Sequence, residues 1–178
     1  MLQSFDQLIE FVDTVLKHGR EDAVNGTSID IHLGSTILME SNPKGVVLDY
    51  RRRDPLPTRR IDIDPELGFV LLPGQFILAH SEEVFNLPDD LSAEYKLKSS
   101  MARIGIDHAN AGWCDPLWSG SVLTLELTNL TQETPIRLRP GDAIGQMVFF
   151  RSRPVPHGKS YAVRGRYNND KSVSTIKE

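Results

Sequence analysis

Short apolar segments separated by turn residues divide the sequence, and this spacing limits the chain to a fold of many short β-strands. The segments occupy residues 28–33, 69–72, 76–79, 122–127, 136–139 and 144–150. Two of the breaks between them are Pro73-Gly74 and Pro140-Gly141. Because proline fixes a negative φ and glycine tolerates a positive one, each pair suits the centre of a type II turn. The sequence therefore predicts an all-β barrel or sandwich.

One convincing long helix is predicted, at residues 4–18. Apolar side chains recur there at the helical spacing, namely Phe5, Leu8, Ile9, Val12, Val15 and Leu16. Ser4 and Gln7 fit a capping box at the start of this helix, and Gly19 suits a C-terminal stop. The predicted fold class is therefore mainly β with one N-terminal helix.

Two stretches of the chain resemble each other weakly. Residues 71–77 (LLPGQFI) and 138–144 (LRPGDAI) both run from a leucine through Pro-Gly to an isoleucine. Two copies are too few for a stacked repeat array, which needs about three units or more. We therefore expect two similar β-hairpins within one β fold.

Length and composition fit one globular domain. The chain has 178 residues, 39% of them hydrophobic, and a formal net charge of −4. This charge argues against a general nucleic-acid binder, which usually carries a basic excess. The single cysteine, Cys114, excludes an internal disulfide, and no apolar run approaches the roughly 18 residues of a membrane span. Residues 1–20 lack a signal-peptide pattern, so we expect a cytoplasmic protein without membrane contact.

Ligands for a transition metal are scarce. No two of the five histidines stand at ligand spacing, and no C-x-x-C motif is present. The H-x-E and P-C-x-x-C signature of the zinc-dependent nucleobase deaminases is therefore missing. We expect no zinc.

The pattern predicts one β domain over residues 1–155 and a C-terminal segment over residues 156–178. The segment lacks apolar periodicity, so we expect it to be flexible, and such segments can close over ligands. Within the domain, residues 42–66 are rich in proline, arginine and aspartate and include Arg51-Arg52-Arg53 and Arg59-Arg60. A basic run of this kind favours an exposed loop.

The densest polar segment spans residues 98–103, KSSMAR. Its two hydroxyls and two cations could bind an anion such as a phosphate. The alternative is an ordinary helix start or exposed turn.

A second segment places Asp115 between the chain's two tryptophans, Trp113 and Trp118. An aromatic plane beside a carboxylate suits a nucleobase or a sugar. The alternative is a core tryptophan with an aspartate that caps a turn.

Glu126 lies within an alternating strand. Leu123, Leu125 and Leu127 share one face, and Thr124, Glu126 and Thr128 share the other. If the second face meets solvent, Glu126 is an ordinary exposed carboxylate. If that face lines a subunit interface, Glu126 is a partly buried acid suited to general base catalysis.

Together these segments resemble the dCTP deaminase branch of the dUTPase-like superfamily. The resemblance rests on five motifs, GTSIDIHLG (26–34), KSSMAR (98–103), AGWCDPLWSG (111–120), LTLELTN (123–129) and RPGDAIGQMVF (139–149). It implies a distorted β-barrel of jelly-roll type and a homotrimer with active sites between its subunits. It also implies dCTP or dUTP as substrate, with Mg²⁺ bound through the triphosphate, and dTTP as an inhibitor.

The resemblance further implies roles for individual residues. Glu126 matches the general base, and Ser99 and Arg103 match residues that position the water and the nucleobase. Nine others match substrate-binding positions, namely Lys98, Ser100, Asn110, Asp115, Trp118, Gln146, Tyr161, Arg166 and Tyr167.

The spacing of the motifs keeps more than one reaction open. The number of residues from Arg103 to Asp115 resembles that in the dUTPases. In those enzymes, an aspartate at the position of Asp115 activates the hydrolytic water. We predict a zinc-independent dCTP deaminase, a hydrolase acting on the amidine C–N bond, which forms dUTP and ammonia. The alternatives are a dUTPase, a bifunctional deaminase and dUTPase, and a non-catalytic nucleotide sensor of the same fold.

Overall fold

The computed structural model describes residues 1–41 and 45–177. Its strands are β1 Leu16–Lys17, β2 Ile29–His32, β3 Thr36–Glu40, β4 Thr58–Asp62, β5 Phe69–Leu71, β6 Phe76–Asn86, β7 Leu91–Leu97, β8 Ile106–His108, β9 Trp113–Cys114, β10 Ser119–Asn129, β11 Ile136–Leu138 and β12 Ala143–Arg151. Its α-helices are α1 Phe5–Thr14, α2 Ser99–Arg103 and α3 Tyr161–Arg164, and single 3₁₀ turns lie at Glu21–Ala23 and His157–Lys159. The predicted fold class, mainly β with an N-terminal helix, is confirmed. No helix in the described ranges is long and apolar enough to cross a membrane.

The strands form two larger sheets and one small ribbon. The first sheet has the order β4-β3-β6-β10-β8, and β1 also pairs with β6. The second sheet has the order β2-β12-β7-β9, and β5 pairs with β11 to form the ribbon. All of these pairings are antiparallel.

The two larger sheets share one apolar core. On β10, Leu123, Leu125 and Leu127 are buried, as their shared face predicts. Ile31 of β2 and Phe149 of β12 are fully buried in the same cluster. The opposite face of β10 is therefore left for polar side chains.

Helix α1 is shorter than predicted. Its start is confirmed, because the Ser4 backbone N–H and hydroxyl both donate to Gln7 Oε1, at 3.3 and 3.0 Å. The helix ends at Thr14 rather than near residue 18, and Gly19 is not its stop. Leu16 instead joins the first sheet as part of β1, opposite Phe85 of β6. Pairing with the sheet gives the backbone N–H and C=O groups there hydrogen-bond partners, as another helical turn would. It also buries Leu16.

Both Pro-Gly pairs form the predicted turns, but the predicted hairpins are wrong. Gly74 and Gly141 have φ of +73° and +84°, and each turn is closed by a hydrogen bond from the residue after glycine. However, β5 and β11, which precede the turns, pair with each other, and β6 and β12, which follow them, belong to different sheets. Type II turns splay their flanking strands, so each turn marks a corner between the ribbon and a sheet.

The arginine-rich stretch is only partly an exposed loop. Residues 42–44 lie outside the described residues, and Thr58–Asp62 form β4 rather than loop. Arg52 pairs with Asp54 at 2.8 Å, and Arg60 pairs with Asp62 at 3.0 Å, all on exposed or half-exposed side chains. Neighbouring aspartates therefore balance part of this positive charge.

Replacing Gly145 with alanine is expected to destabilise the fold. A Cβ at Gly145 would lie 2.1 Å from the ring of Tyr95, which is itself 1% exposed and cannot move freely. Overpacking of this kind costs about 1–3 kcal/mol, measurable as a lower free energy of unfolding in urea. Gly26→Ala is the control, because a Cβ there meets nothing within 4 Å. Equal losses in the two variants would contradict this account.

Candidate active site

A cavity of about 460 Å³ lies between β10, the loop around β9 and the C-terminal segment. Aromatic, aliphatic and polar side chains line it, and a cavity of this size and composition suits a small organic ligand. Four of the predicted site residues lie in its wall, namely Trp118, Glu126, Tyr161 and Tyr167.

Glu126 points into this cavity from the middle of β10. Because Leu125 and Leu127 face the core, Glu126 and Thr124 face the opposite side. That side forms part of the cavity wall, so the Glu126 side chain is only 24% exposed. The structure therefore places a partly buried acid here, rather than the freely solvated carboxylate that the sequence also allows.

Two polar residues that no sequence motif singles out lie beside Glu126. His108 Nε2 is 3.2 Å from Glu126 Oε2, although the two groups are not aligned as a hydrogen bond. The Tyr95 hydroxyl is also buried, and burial together with the Glu126 charge raises the pKa of Tyr95. These three polar atoms have no hydrogen-bond partner among the described residues. Buried polar atoms without partners are costly, so this cluster marks a place that a ligand or water would complete.

The two tryptophans on either side of Asp115, Trp113 and Trp118, lie in different environments. Trp118 is buried and stacks on Phe85 with a ring separation of 5.2 Å, which makes it part of the core as well as of the cavity wall. Trp113 is 58% exposed, and its Nε1–H donates to Asp115 Oδ1 at 3.0 Å. Asp115 also starts a turn, because its carbonyl accepts the Trp118 N–H at 3.2 Å. Trp118 is therefore a core tryptophan and Asp115 begins a turn, as the structural alternative predicts, and a role of these residues in binding a nucleobase or a sugar stays a prediction.

Cys114 lies between Trp113 and Asp115 in the sequence, but its thiol is unreactive. The side chain is buried, and burial with the nearby Asp115 charge raises the pKa of the thiol to about 12. The thiol is protonated at neutral pH and is a poor nucleophile.

The C-terminal segment closes one side of the cavity. The Tyr167 carbonyl accepts hydrogen bonds from Trp118 Nε1 at 3.3 Å and from the Ser121 hydroxyl at 2.5 Å. The Val122 N–H of β10 donates to the Asp170 carbonyl at 2.9 Å. Among the predicted contacts of this segment, Tyr161 and Tyr167 line the cavity, whereas Arg166 is exposed and does not. The predicted division at residue 155 and the flexibility of the segment stay predictions.

Helix α2 holds the other predicted catalytic residues outside the cavity. Ser99, Ser100 and Arg103 are exposed on this helix, and only Met101 packs against the core. The short helix matches the structural alternative for this segment, a helix start after Lys98. Within one chain, Ser99 and Arg103 are therefore not brought together with Glu126.

Lys98 and Gln146 belong to a separate polar cluster on the second sheet. Lys98 forms an ion pair with Asp30, which also accepts a hydrogen bond from the Asn25 amide at 2.9 Å. The Ser28 hydroxyl donates to Gln146 Oε1 at 3.0 Å. Asp30 and Ser28 lie in the first of the five sequence motifs, but no role was predicted for them.

Asn110 also lies away from the cavity around Glu126. It is exposed after β8, has a φ of +59°, and lines a second pocket with Tyr95 and His108. Its backbone N–H donates to His108 Nδ1 at 3.0 Å. Asn110 therefore contacts His108, the histidine beside Glu126, and does not line the cavity.

The sequence matches a family model described as dCTP deaminase-like over residues 3–152. A relative from Beutenbergia cavernae, named dCTP deaminase, dUMP-forming, is 41% identical over 152 residues, or 83% of this chain and 78% of the relative. A relative of the same name from Clavibacter michiganensis subsp. michiganensis is 42% identical over 142 residues, or 77% of this chain and 70% of the relative.

Among solved structures, the crystal structure of 2′-deoxycytidine 5′-triphosphate deaminase from Agrobacterium tumefaciens is similar, with a TM-score of 0.65 and 25% sequence identity. The match covers 83% of this chain and 47% of the other, so this chain spans about half the length of that protein. The family predicted from the motifs is confirmed by the family match and by the identities of 41% and 42% to these two relatives. The chain belongs to the dCTP deaminase-like family.

Proposed function

We propose that this chain is a dCTP deaminase that releases dUMP, and so acts twice on one nucleotide. The observation that carries the proposal is the partly buried Glu126 carboxylate in a cavity of about 460 Å³. The names of the relatives, dCTP deaminase, dUMP-forming, support the bifunctional alternative over the predicted dUTP product. The enzyme is a hydrolase that first cleaves a cytosine C–N bond and then a phosphoanhydride bond.

Glu126 is the general base of the deamination. Its carboxylate takes a proton from water, the hydroxide adds to C4 of cytosine, and that proton passes to N3. A second transfer through the same carboxylate moves the proton of the new hydroxyl to the amino group, which leaves as ammonia while the C4 carbonyl forms. One carboxylate serves both transfers because it ends the cycle deprotonated.

Asp115 orients the water of the second reaction. This water attacks the α-phosphorus of dUTP, the bond to the bridging oxygen breaks, and pyrophosphate leaves dUMP behind. The dUTPase-like spacing from Arg103 to Asp115 supports this role. So does the Trp113 indole, which holds one carboxylate oxygen of Asp115 at 3.0 Å and leaves the other for water.

Mg²⁺ binds through the triphosphate, and the proposal includes no zinc. In residues 1–41 and 45–177, no three His, Cys, Asp or Glu side chains lie close enough to hold a metal. The carboxylate next to the predicted phosphate contacts is Asp30, paired with Lys98. Mg²⁺ commonly keeps several waters and takes phosphate oxygens with one or two carboxylates, so this donor set fits. When bound, the ion neutralises phosphate charge.

The active enzyme is a homotrimer with sites between subunits. The support comes from α2, whose Ser99, Ser100 and Arg103 are exposed and lie outside the cavity that contains Glu126. A second copy can bring its α2 to the cavity of the first, and closed rotational symmetry repeats that contact in every subunit.

Glu126→Gln is expected to lower deamination about a hundredfold or more while dCTP still binds. The amide keeps the shape of the side chain but cannot accept a proton from water. Chromatography of dCTP and its products measures turnover, and calorimetry measures binding. Glu94→Gln on β7, whose side chain pairs with Lys96, is the control. Turnover near wild type in Glu126→Gln would refute the assignment.

Asp115→Asn is expected to stop pyrophosphate release and to leave deamination intact. With dCTP and Mg²⁺, the wild-type enzyme then forms dUMP, whereas the variant accumulates dUTP. Unchanged dUMP formation in the variant would contradict the role of Asp115. Wild-type enzyme that stops at dUTP would instead indicate a plain deaminase. Wild-type enzyme that consumes only dUTP would indicate a dUTPase, and one that binds nucleotide without turnover would indicate a sensor.

Mixing two inactive variants is expected to restore activity if sites are shared between subunits. Glu126→Gln supplies an intact α2, and Arg103→Ala supplies an intact Glu126. Random reassembly of equal amounts gives about one interface in four with both groups intact, and so about a quarter of wild-type activity. The reassembled protein is expected at about 60 kDa by light scattering, three times the 20.0 kDa chain mass. A mixture that stays inactive, or an active monomer, would contradict the shared site.

A further inference from the structure

We propose that His108 is a positioning residue for Glu126, and that it holds one carboxylate oxygen through a proton fixed on Nε2. The proposal rests on the proposed deaminase function. It starts from the 3.2 Å contact between His108 Nε2 and Glu126 Oε2, two atoms that are both buried and without other partners among the described residues.

The backbone after β8 fixes where the imidazole proton lies. The Asn110 N–H donates to His108 Nδ1 at 3.0 Å, so Nδ1 must carry a lone pair and act as the acceptor. The single ring proton of the neutral imidazole is then on Nε2, which faces the carboxylate. His108 therefore presents an N–H donor to Glu126.

The position of the ring is fixed as firmly as its tautomer. The His108 side chain is 5% exposed, and its ring packs on the Tyr95 ring at a centroid distance of 4.7 Å. His108 also ends β8, where it pairs with Leu127, the residue after Glu126 on β10. The next residue, Ala109, donates its N–H to the Glu126 carbonyl at 3.0 Å. The donor and the carboxylate thus belong to one rigid backbone unit.

An N–H donor at this place would limit the rotation of the Glu126 carboxylate, the proposed general base. When substrate binding aligns this donor with Oε2, Oε1 is the oxygen left for the attacking water, and the hydrogen bond keeps the carboxylate from rotating away from it. The contact by itself is not aligned as a hydrogen bond, and catalytic hydrogen bonds often tighten only when substrate binds. A small misplacement of a catalytic group can cost about a hundredfold in rate, so a fixed orientation matters more for turnover than for binding.

A second histidine–glutamate contact in the chain offers a matched control. His32 Nδ1 lies 2.6 Å from Glu83 Oε1, and the Glu83 carboxylate also accepts the His32 backbone N–H at 3.1 Å. This pair is buried and joins β2 to β6, but neither residue lines the cavity around Glu126. It has a structural role and no contact with the base.

The test compares His108→Leu, His108→Gln and His32→Leu as full-length proteins with dCTP and Mg²⁺. Leucine at position 108 removes the donor, so kcat for deamination is expected to fall about 10- to 100-fold with little change in KM. Glutamine can place its amide N–H near the position of Nε2, so it is expected to recover most of kcat. His32→Leu is expected to lower Tm but to keep kcat.

The outcomes separate the two proposals. If the wild-type chain does not deaminate dCTP, the proposed function fails. If the wild type is active and His108→Leu keeps its kcat within about twofold, the positioning role fails alone. The role also fails if leucine and glutamine lower kcat equally in step with Tm, because that pattern marks a structural residue.

Discussion

The pairing of β10 with β6 is the contact on which the rest of the structure depends. Both strands are eleven residues long, and their register runs from Ser119 opposite Asn86 to Thr128 opposite Phe76. Because side chains alternate along a strand, a shift of one residue would turn Glu126 into the core and expose the leucines beside it. The burial of those leucines therefore fixes the direction of the carboxylate, and the same strand receives β8 and the C-terminal segment on its open sides.

Beside this strand pair lie three polar side chains, Tyr95, His108 and Glu126, whose buried atoms, unpaired within the described part of the chain, lower the stability of the core. Tyr95 is 1% exposed and passes so close to Gly145 that a side chain there would collide with its ring, yet its hydroxyl has no partner among the described residues. The atoms of His108 and Glu126 that face each other share this property. Such atoms reduce stability, and in native proteins such violations are expected at functional sites, where a catalytic role or a bound water or ion explains them. The cluster and the cavity thus support each other as evidence for a site.

The C-terminal segment is held in a different way from the strands. Its contacts with β10 are chiefly hydrogen bonds between residues 167–171 and residues 119–122, each worth about 0.5–1.5 kcal/mol net. Among the described residues of the segment, Val173 is the buried apolar one, and Tyr161 packs partly against the core. The segment therefore depends more on hydrogen bonds and less on apolar burial than the core strands do.

The sequence by itself determined the fold class, the start of α1, both Pro-Gly turns and the family, because local turn chemistry, side-chain alternation and motif order are all written in short stretches of chain. It could not decide strand partners: the two Pro-Gly segments look like hairpins, but their strands separate into a ribbon and two sheets. It also found Glu126 but not His108 or Tyr95, since these residues meet only when β8 and β7 fold around β10. It also could not show that α2 lies outside the cavity of its own chain. The tertiary structure decided these points because they depend on contacts between residues far apart in sequence, which no local pattern encodes.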